Sequence, residues 1–147
     1  MKQPVQEVAP RKPPGLFRRL GAIFYDCLLL LATLFLATAL LLPFSNEDAF
    51  APNHLLYTIY LTFVTYLFFG WFWTHGGQTL GMRAWKIKVC NKDGGDLSWT
   101  QATIRFLSAA ISWGFAGLGF FWILFNKNRN GWHDLLSKTK IDWAENK

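Results

Sequence analysis

The strongest constraint on this fold is the gathering of its apolar residues into three long runs. The runs cover approximately residues 20–42, 55–74 and 105–125. Each one reaches the roughly 17–25 residues that a helix needs to cross the hydrocarbon core of a bilayer. The sequence therefore predicts an all-α integral membrane protein, with the lipid bilayer as its first partner.

The positions of the basic residues indicate membrane topology. The formal net charge is +6, but the basic side chains flank the apolar runs, where they set orientation and meet anionic headgroups. The segment before the first run is basic, whereas the connection 43–53 contains Glu47 and Asp48 and neither Lys nor Arg. Basic residues stay in the cytoplasm, so we expect a cytoplasmic N-terminus. We expect no nucleic-acid partner.

The first two runs predict two full transmembrane helices. Residues 1–14 hold four prolines among polar residues and are predicted to form a disordered cytoplasmic tail, which leaves 15–147 as one membrane domain. The first helix is predicted from about Leu16 to Leu42, because the ring of Pro43 cannot continue it. The second is predicted from about Leu55 to Trp73.

Two short segments outside the apolar runs have strand character. Apolar residues alternate with lysines from Trp85 to Val89, and turn residues follow, while Thr139 to Trp143 has a similar pattern. We predict that they pair as a small cytoplasmic two-stranded sheet. Ser98 followed by Gln101 matches a capping box and predicts a helix start near Trp99.

The third apolar run creates a topological conflict. A single crossing would place the basic C-terminal segment outside, against the positive-inside rule, and Gly114, Gly117 and Gly119 interrupt the run. The run is too short for two full spans, which need about 40 residues. We favour a re-entrant helical hairpin, and a single glycine-bent span is the alternative.

The charged residues and their surroundings resemble the RDD family of small multi-pass membrane proteins, named for one arginine and two aspartates. Arg19 and Asp26 match the first motif, Asp134 matches the second aspartate, and Gly77–Arg83 is similar to the middle segment. Tyr25 stands where members commonly have isoleucine. The resemblance implies an inner (plasma) membrane protein, often described as a transporter of unknown ligands, with sodium/proton exchange proposed for one branch.

The depths of the charged residues predict their partners. Arg19 and Asp26 are seven residues apart, so they share a helix face but are separated by about 10 Å of rise. Arg19 should reach the cytoplasmic rim, whereas Asp26 needs a partner within the membrane, and Arg105 lies at a matching depth. We predict an Asp26–Arg105 ion pair, with Asp134 bound to Arg19 or Arg83.

These residues and His133 form the predicted functional network, which is either a set of structural locks or a titrating site at Asp26. The sequence contains no phosphate-binding loop, no zinc motif and no nucleophile with a base, so we expect no enzyme, cofactor or metal. The leading function is transport of a cation, proton or small solute, with self-association or a membrane-protein partner. The alternative is a non-transporting scaffold or assembly factor.

Overall fold

The computed structural model describes residues 12–44, 55–115, 118–125 and 130–144. Its elements, in chain order, are α1 (Leu16–Leu41), a 3-10 turn (Leu42–Phe44), α2 (Leu55–Thr74), α3 (Leu80–Ala84), β1 (Ile87–Asn91), α4 (Trp99–Gly114), α5 (Leu118–Phe125), α6 (Trp132–Leu136) and β2 (Thr139–Trp143). The predicted helical architecture with a small sheet is confirmed. The predictions for most of the N-terminal tail and for the connection holding Glu47 and Asp48 lie outside the described residues.

Helices α1 and α2 are both long and apolar enough to cross a membrane. Helix α1 ends one residue before the predicted end, and Pro43 lies in the 3-10 turn that follows. Many large apolar side chains of both helices point outward, including Phe35 and Leu56, each 70% exposed. An apolar surface of this extent fits lipid rather than water.

Hydroxyl groups join the long helices to their neighbours. Thr38 Oγ1 and Tyr57 OH lie 2.9 Å apart, and Tyr60 OH donates to the carbonyl oxygen of Ala37 at 3.1 Å. Tyr66 OH and Thr103 Oγ1, 2.8 Å apart, connect α2 to α4. These partly buried hydrogen bonds connect the three helices at defined positions.

The third apolar run forms two helices, α4 and α5, with a break after Gly114. The predicted interruption is therefore confirmed at Gly114, whereas Gly117 lies outside the described residues and Gly119 lies within α5, where it does not interrupt the helix. The predicted capping box is also present: Ser98 Oγ accepts from Gln101 N at 3.2 Å, and Gln101 Oε1 accepts from Ser98 N at 3.1 Å. Helix α6 packs against both α4 and α5, so the chain turns back toward α4.

Strands β1 and β2 pair antiparallel, with Ile87 opposite Trp143 and Val89 opposite Ile141. The predicted pairing is confirmed, but β1 begins at Ile87 instead of Trp85. The reason is local, since Trp85 caps α3 and Lys86 has a positive φ of 54°. The buried face of the sheet joins the main core, which contains Ala22, Trp73, Met82, Ile87, Val89, Leu97, Ala102 and Ile141.

The two strands are preceded by matching local structures. Helices α3 and α6 each contain five residues, and each is followed by a lysine with a φ of 54°, Lys86 or Lys138, directly before a five-residue strand. A left-handed backbone lets the chain leave the helix and enter the strand within two residues. The sheet thus joins two similar helix–strand units, one from each half of the chain.

Candidate functional site

Asp134 is the centre of a buried ionic cluster. It lies on α6 with no exposed surface, and its Oδ2 accepts a hydrogen bond from Arg19 Nη1 at 2.9 Å. Arg19 is in the first turns of α1 and is itself 3% exposed. Of the two predicted partners, the structure places Arg19 against Asp134. Arg83 is exposed and is not among the side chains that contact Asp134 in the described residues.

Arg105 binds the other oxygen of the same carboxylate. Its Nη1 donates to Asp134 Oδ1 and also to Thr139 Oγ1, the latter at 2.8 Å. Because Arg105 is on α4 and Thr139 begins β2, the contacts join four elements: α1, α4, α6 and β2. We refer to Arg19, Arg105, His133, Asp134 and Thr139 as the Asp134 cluster.

The predicted Asp26–Arg105 ion pair is wrong. Asp26 Oδ2 accepts from Thr79 Oγ1 at 2.5 Å, and Asp26 Oδ1 accepts from Gly81 N at 2.8 Å, while Arg105 binds Asp134. The prediction was based on the membrane depths of Asp26 and Arg105 on their helices. It did not include α3, which packs against α1 and brings Thr79 and Gly81 to Asp26. Gly81 allows this approach, because a Cβ atom there would overlap the carbonyl oxygen of Ala22.

The charge states of Asp134 and His133 are fixed at neutral pH. Burial alone would raise the pKa of the Asp134 carboxyl, but the charges of Arg105 and Arg19 and the N–H of Gly131 hold that pKa well below its usual value. Burial lowers the pKa of His133 to about 4, although Asp134 lies 3.5 Å from its Nε2. At pH 7 the cluster therefore has two guanidinium cations, one carboxylate and a neutral imidazole.

A cavity of about 390 Å³ lies between α1, α2 and α4. Its walls are mainly apolar, with side chains that include Ile23, Leu30, Phe69 and Phe106. Four members of the predicted network line it, namely Arg19, Asp26, Arg105 and His133, and Thr65 adds a hydroxyl group. Within the described ranges, no group of three or more His, Cys, Asp and Glu side chains is arranged to hold a metal ion. The cavity is suited to a small organic solute or to single ions.

Three side chains of the site were not predicted from the sequence. Thr79 donates a hydrogen bond to Asp26, and Thr139 accepts one from Arg105. The third is Trp73, whose ring centre lies 5.2 Å from Cζ of Arg105. Thr79 also caps α3, since its Oγ1 accepts from Met82 N at 3.2 Å. A threonine before a short helix is a weak capping signal, and it was the available clue to Thr79.

Two membrane-length helices, a broken third apolar run and a buried Arg–Asp–Arg cluster define a small helical membrane protein. The model of the RDD family matches residues 13–138, which is most of the chain, and the chain belongs to the RDD family. The match contains Arg19, Asp26 and Asp134, the residues on which the resemblance depended. No curated protein and no solved structure matched the chain.

Proposed function

We propose that this protein is a membrane transporter that exchanges a proton or a small cation at Asp26. The observation that carries the proposal is the position of Asp26, which is 3% exposed and lines the cavity between α1, α2 and α4. Its carboxylate is bound by a hydroxyl and a backbone N–H, and the described residues provide it with no ion pair. A carboxylate in a membrane-length helix without a cation is expensive and typically functional.

The bonds of Asp26 suit two protonation states. A hydroxyl can donate to a carboxylate or accept from a carboxylic acid, so Thr79 can reverse its bond when Asp26 gains a proton. The N–H of Gly81 can donate to the carboxyl oxygen in either state. Asp26 can therefore gain or lose a proton or a bound cation without separating α3 from α1.

The Asp134 cluster has a different role in this proposal. A carboxylate that is bound by two guanidinium groups and has a strongly lowered pKa stays ionised across the physiological pH range. It exchanges no proton there. We assign to the cluster the structural role of holding α6 and β2 against α1 and α4. We assign proton or cation exchange to Asp26.

The proposed topology has α1 and α2 crossing the inner (plasma) membrane, a cytoplasmic N-terminus and a re-entrant α4–α5 hairpin. The pairing of β2 with β1 and the packing of α6 on α4 support a return to one side. The test is thiol labelling of Asp142→Cys in a variant whose two native cysteines, Cys27 and Cys90, have been replaced. We expect labelling from the cytoplasmic side. Labelling from outside in intact cells would exclude the hairpin.

Transport is tested with purified protein in proteoliposomes that contain a pH-sensitive dye. Gradients of Na⁺, K⁺ and Li⁺ should drive proton movement in the wild type, and Asp26→Asn should abolish it. Asp142→Asn is the matched control, because it removes a carboxylate that is partly exposed and does not line the cavity, and it should leave the flux unchanged. A wild type that moves no protons with any of these cations, or an Asp26→Asn variant with normal flux, would refute the proposal.

A scaffold is the second candidate function. The connection of four elements through Asp134 favours it, because such a lock holds a fixed surface for a partner. A scaffold should show no flux in proteoliposomes and should co-purify stably with another membrane protein. A transporter of this size is expected to self-associate, since two long helices enclose little space for a pathway.

A further inference from the structure

The cavity between α1, α2 and α4 follows the three helices from the Asp134 cluster toward the middle of the membrane. The lining residues nearest to the cluster and farthest from it are Arg19 and Leu30 on α1, Trp73 and Thr65 on α2, and Arg105 and Trp113 on α4. At about 1.5 Å of rise per residue, the cavity is roughly 12–16 Å long. Leu30 and Thr65 lie near the centres of the apolar runs 20–42 and 55–74. The far end of the cavity is therefore near the midplane of a bilayer that α1 and α2 cross.

The end of the cavity beside the Asp134 cluster is closed by buried residues. They include Ala22 of α1, Ile87 of β1 and Ile141 of β2. The ionisable side chains at this end are bonded to other groups, Asp26 to α3 and its N-cap, and both arginines to Asp134. The wall that faces the cavity is mainly apolar, so a ligand is selected there by hydrocarbon contact rather than by charge.

The far end of the cavity opens between α1 and α4. The exposed lining residues toward that end belong to these two helices, namely Cys27 on α1 and Ala110 and Trp113 on α4. Helix α2 packs against both α1 and α4 and forms the opposite wall with Thr65 and Phe69, which are half-buried. Because this opening lies near the midplane, it is surrounded by hydrocarbon chains and not by water.

The chemistry of the cavity and of its opening indicates a hydrocarbon occupant. Buried water needs several polar partners, whereas apolar cavities stay dry and bind apolar molecules. The volume of about 390 Å³ is within the range of about 300–1,000 Å³ that is typical of small-molecule sites. We propose that the cavity binds one acyl chain of a bilayer phospholipid, which enters through the opening between α1 and α4. This inference goes beyond the transport proposal, because it requires no exchange at Asp26.

The test places the full chain in nanodiscs of phosphatidylcholine that carries a diazirine at the end of one acyl chain, followed by photolysis and peptide mapping. The wild type should be labelled at Phe69, which lines the cavity, and Phe72 is the reference, because it is half-buried on the same helix and is not a lining residue. Ala109→Trp fills the cavity and should lower the labelling of Phe69 relative to Phe72 about fivefold or more, since a filled interior admits no lipid chain. Leu107→Trp is the matched control, because Leu107 is exposed on α4 and does not line the cavity, and it should leave the ratio unchanged.

Two further measurements complete the test. Ala109→Leu, which fills less of the cavity, repeats the comparison if Ala109→Trp fails to fold. A water-soluble methanethiosulfonate should leave Cys27 of the wild type unmodified in nanodiscs and should modify it after unfolding in detergent, because a bound chain excludes water from the cavity.

Three results would overturn the proposal. They are modification of Cys27 in the nanodiscs, labelling of Phe69 that is absent or that a filled cavity does not lower, and labelling of Phe69 by a free diazirine-bearing decanol but not by the lipid. The last result would assign the cavity to lipophilic solutes. Normal lipid labelling with no proton flux would instead refute only the transport function.

Discussion

The central structural prediction is that Asp134→Asn destabilises the protein severely. In the structure each carboxylate oxygen of Asp134 accepts from a different arginine, Arg19 or Arg105. Asparagine has nearly the same shape, but one of its two positions is an NH₂ donor. Whichever way the amide turns, that donor faces a guanidinium donor, and both buried cations lose their counter-charge. Removing one partner of a buried ion pair costs on the order of 3–5 kcal/mol.

This loss would be a large share of the roughly 5–15 kcal/mol that typically separates folded from unfolded states. The assay is equilibrium unfolding of the purified protein in mixed micelles, followed by tryptophan fluorescence. Asp142→Asn is the control, because the Asp142 side chain is 44% exposed and its Oδ2 lies 3.8 Å from Lys140 Nζ, a partly exposed pair worth about 1 kcal/mol or less. If Asp134→Asn loses no more stability than this control, the Asp134 cluster does not hold the fold.

Two further predictions concern the approach of α3 to α1 and the buried histidine. Gly81→Ala should weaken folding by more than about 2 kcal/mol, because the added methyl group meets the Ala22 carbonyl, whereas Gly114→Ala, with open space around it, should be neutral or slightly stabilising. Equal unfolding midpoints for the two variants would contradict this packing. The pKa of His133 is lowered to about 4, while a histidine in the unfolded chain titrates near 6.5. The unfolded state therefore binds more protons between these values, stability should fall as pH drops from about 6.5 to about 4, and His133→Gln should flatten that part of the stability curve. A curve of unchanged slope in the variant would assign the acid sensitivity to other groups.

The long elements were predictable because their signals are local and cumulative. The predicted and observed ends of α1 and α2 agree within one residue, since a run of about twenty apolar residues and a proline need no tertiary information. The start of α4 at Trp99 was also predicted, because both halves of its capping box are in the sequence. The pairing of β1 with β2 was predicted from the alternation of apolar and polar residues in both segments and from the turn residues after the first segment.

The partners of the aspartates were less predictable. Helices α3 and α6 have five residues each, which is too short for an apolar period to be recognised. Because α3 was not predicted, Arg105 became the predicted partner of Asp26 on the basis of its matching depth in the membrane. The actual donors to Asp26 are a threonine hydroxyl and a backbone N–H, and the charge pattern of the sequence indicates neither.

The two buried aspartates should therefore differ in what their removal does. Asp134 is held by charge, so its neutral analogue removes the negative charge between two buried guanidinium groups and destabilises the fold severely. Asp26 is held by neutral donors that bind a carboxyl group in either state, so Asp26→Asn removes a charge that forms no ion pair in the described part of the chain. The Asp26→Asn variant should fold with near-normal stability and lose only exchange. Unfolding of both variants would make Asp26 a second lock, and the scaffold would then be the better description of the protein.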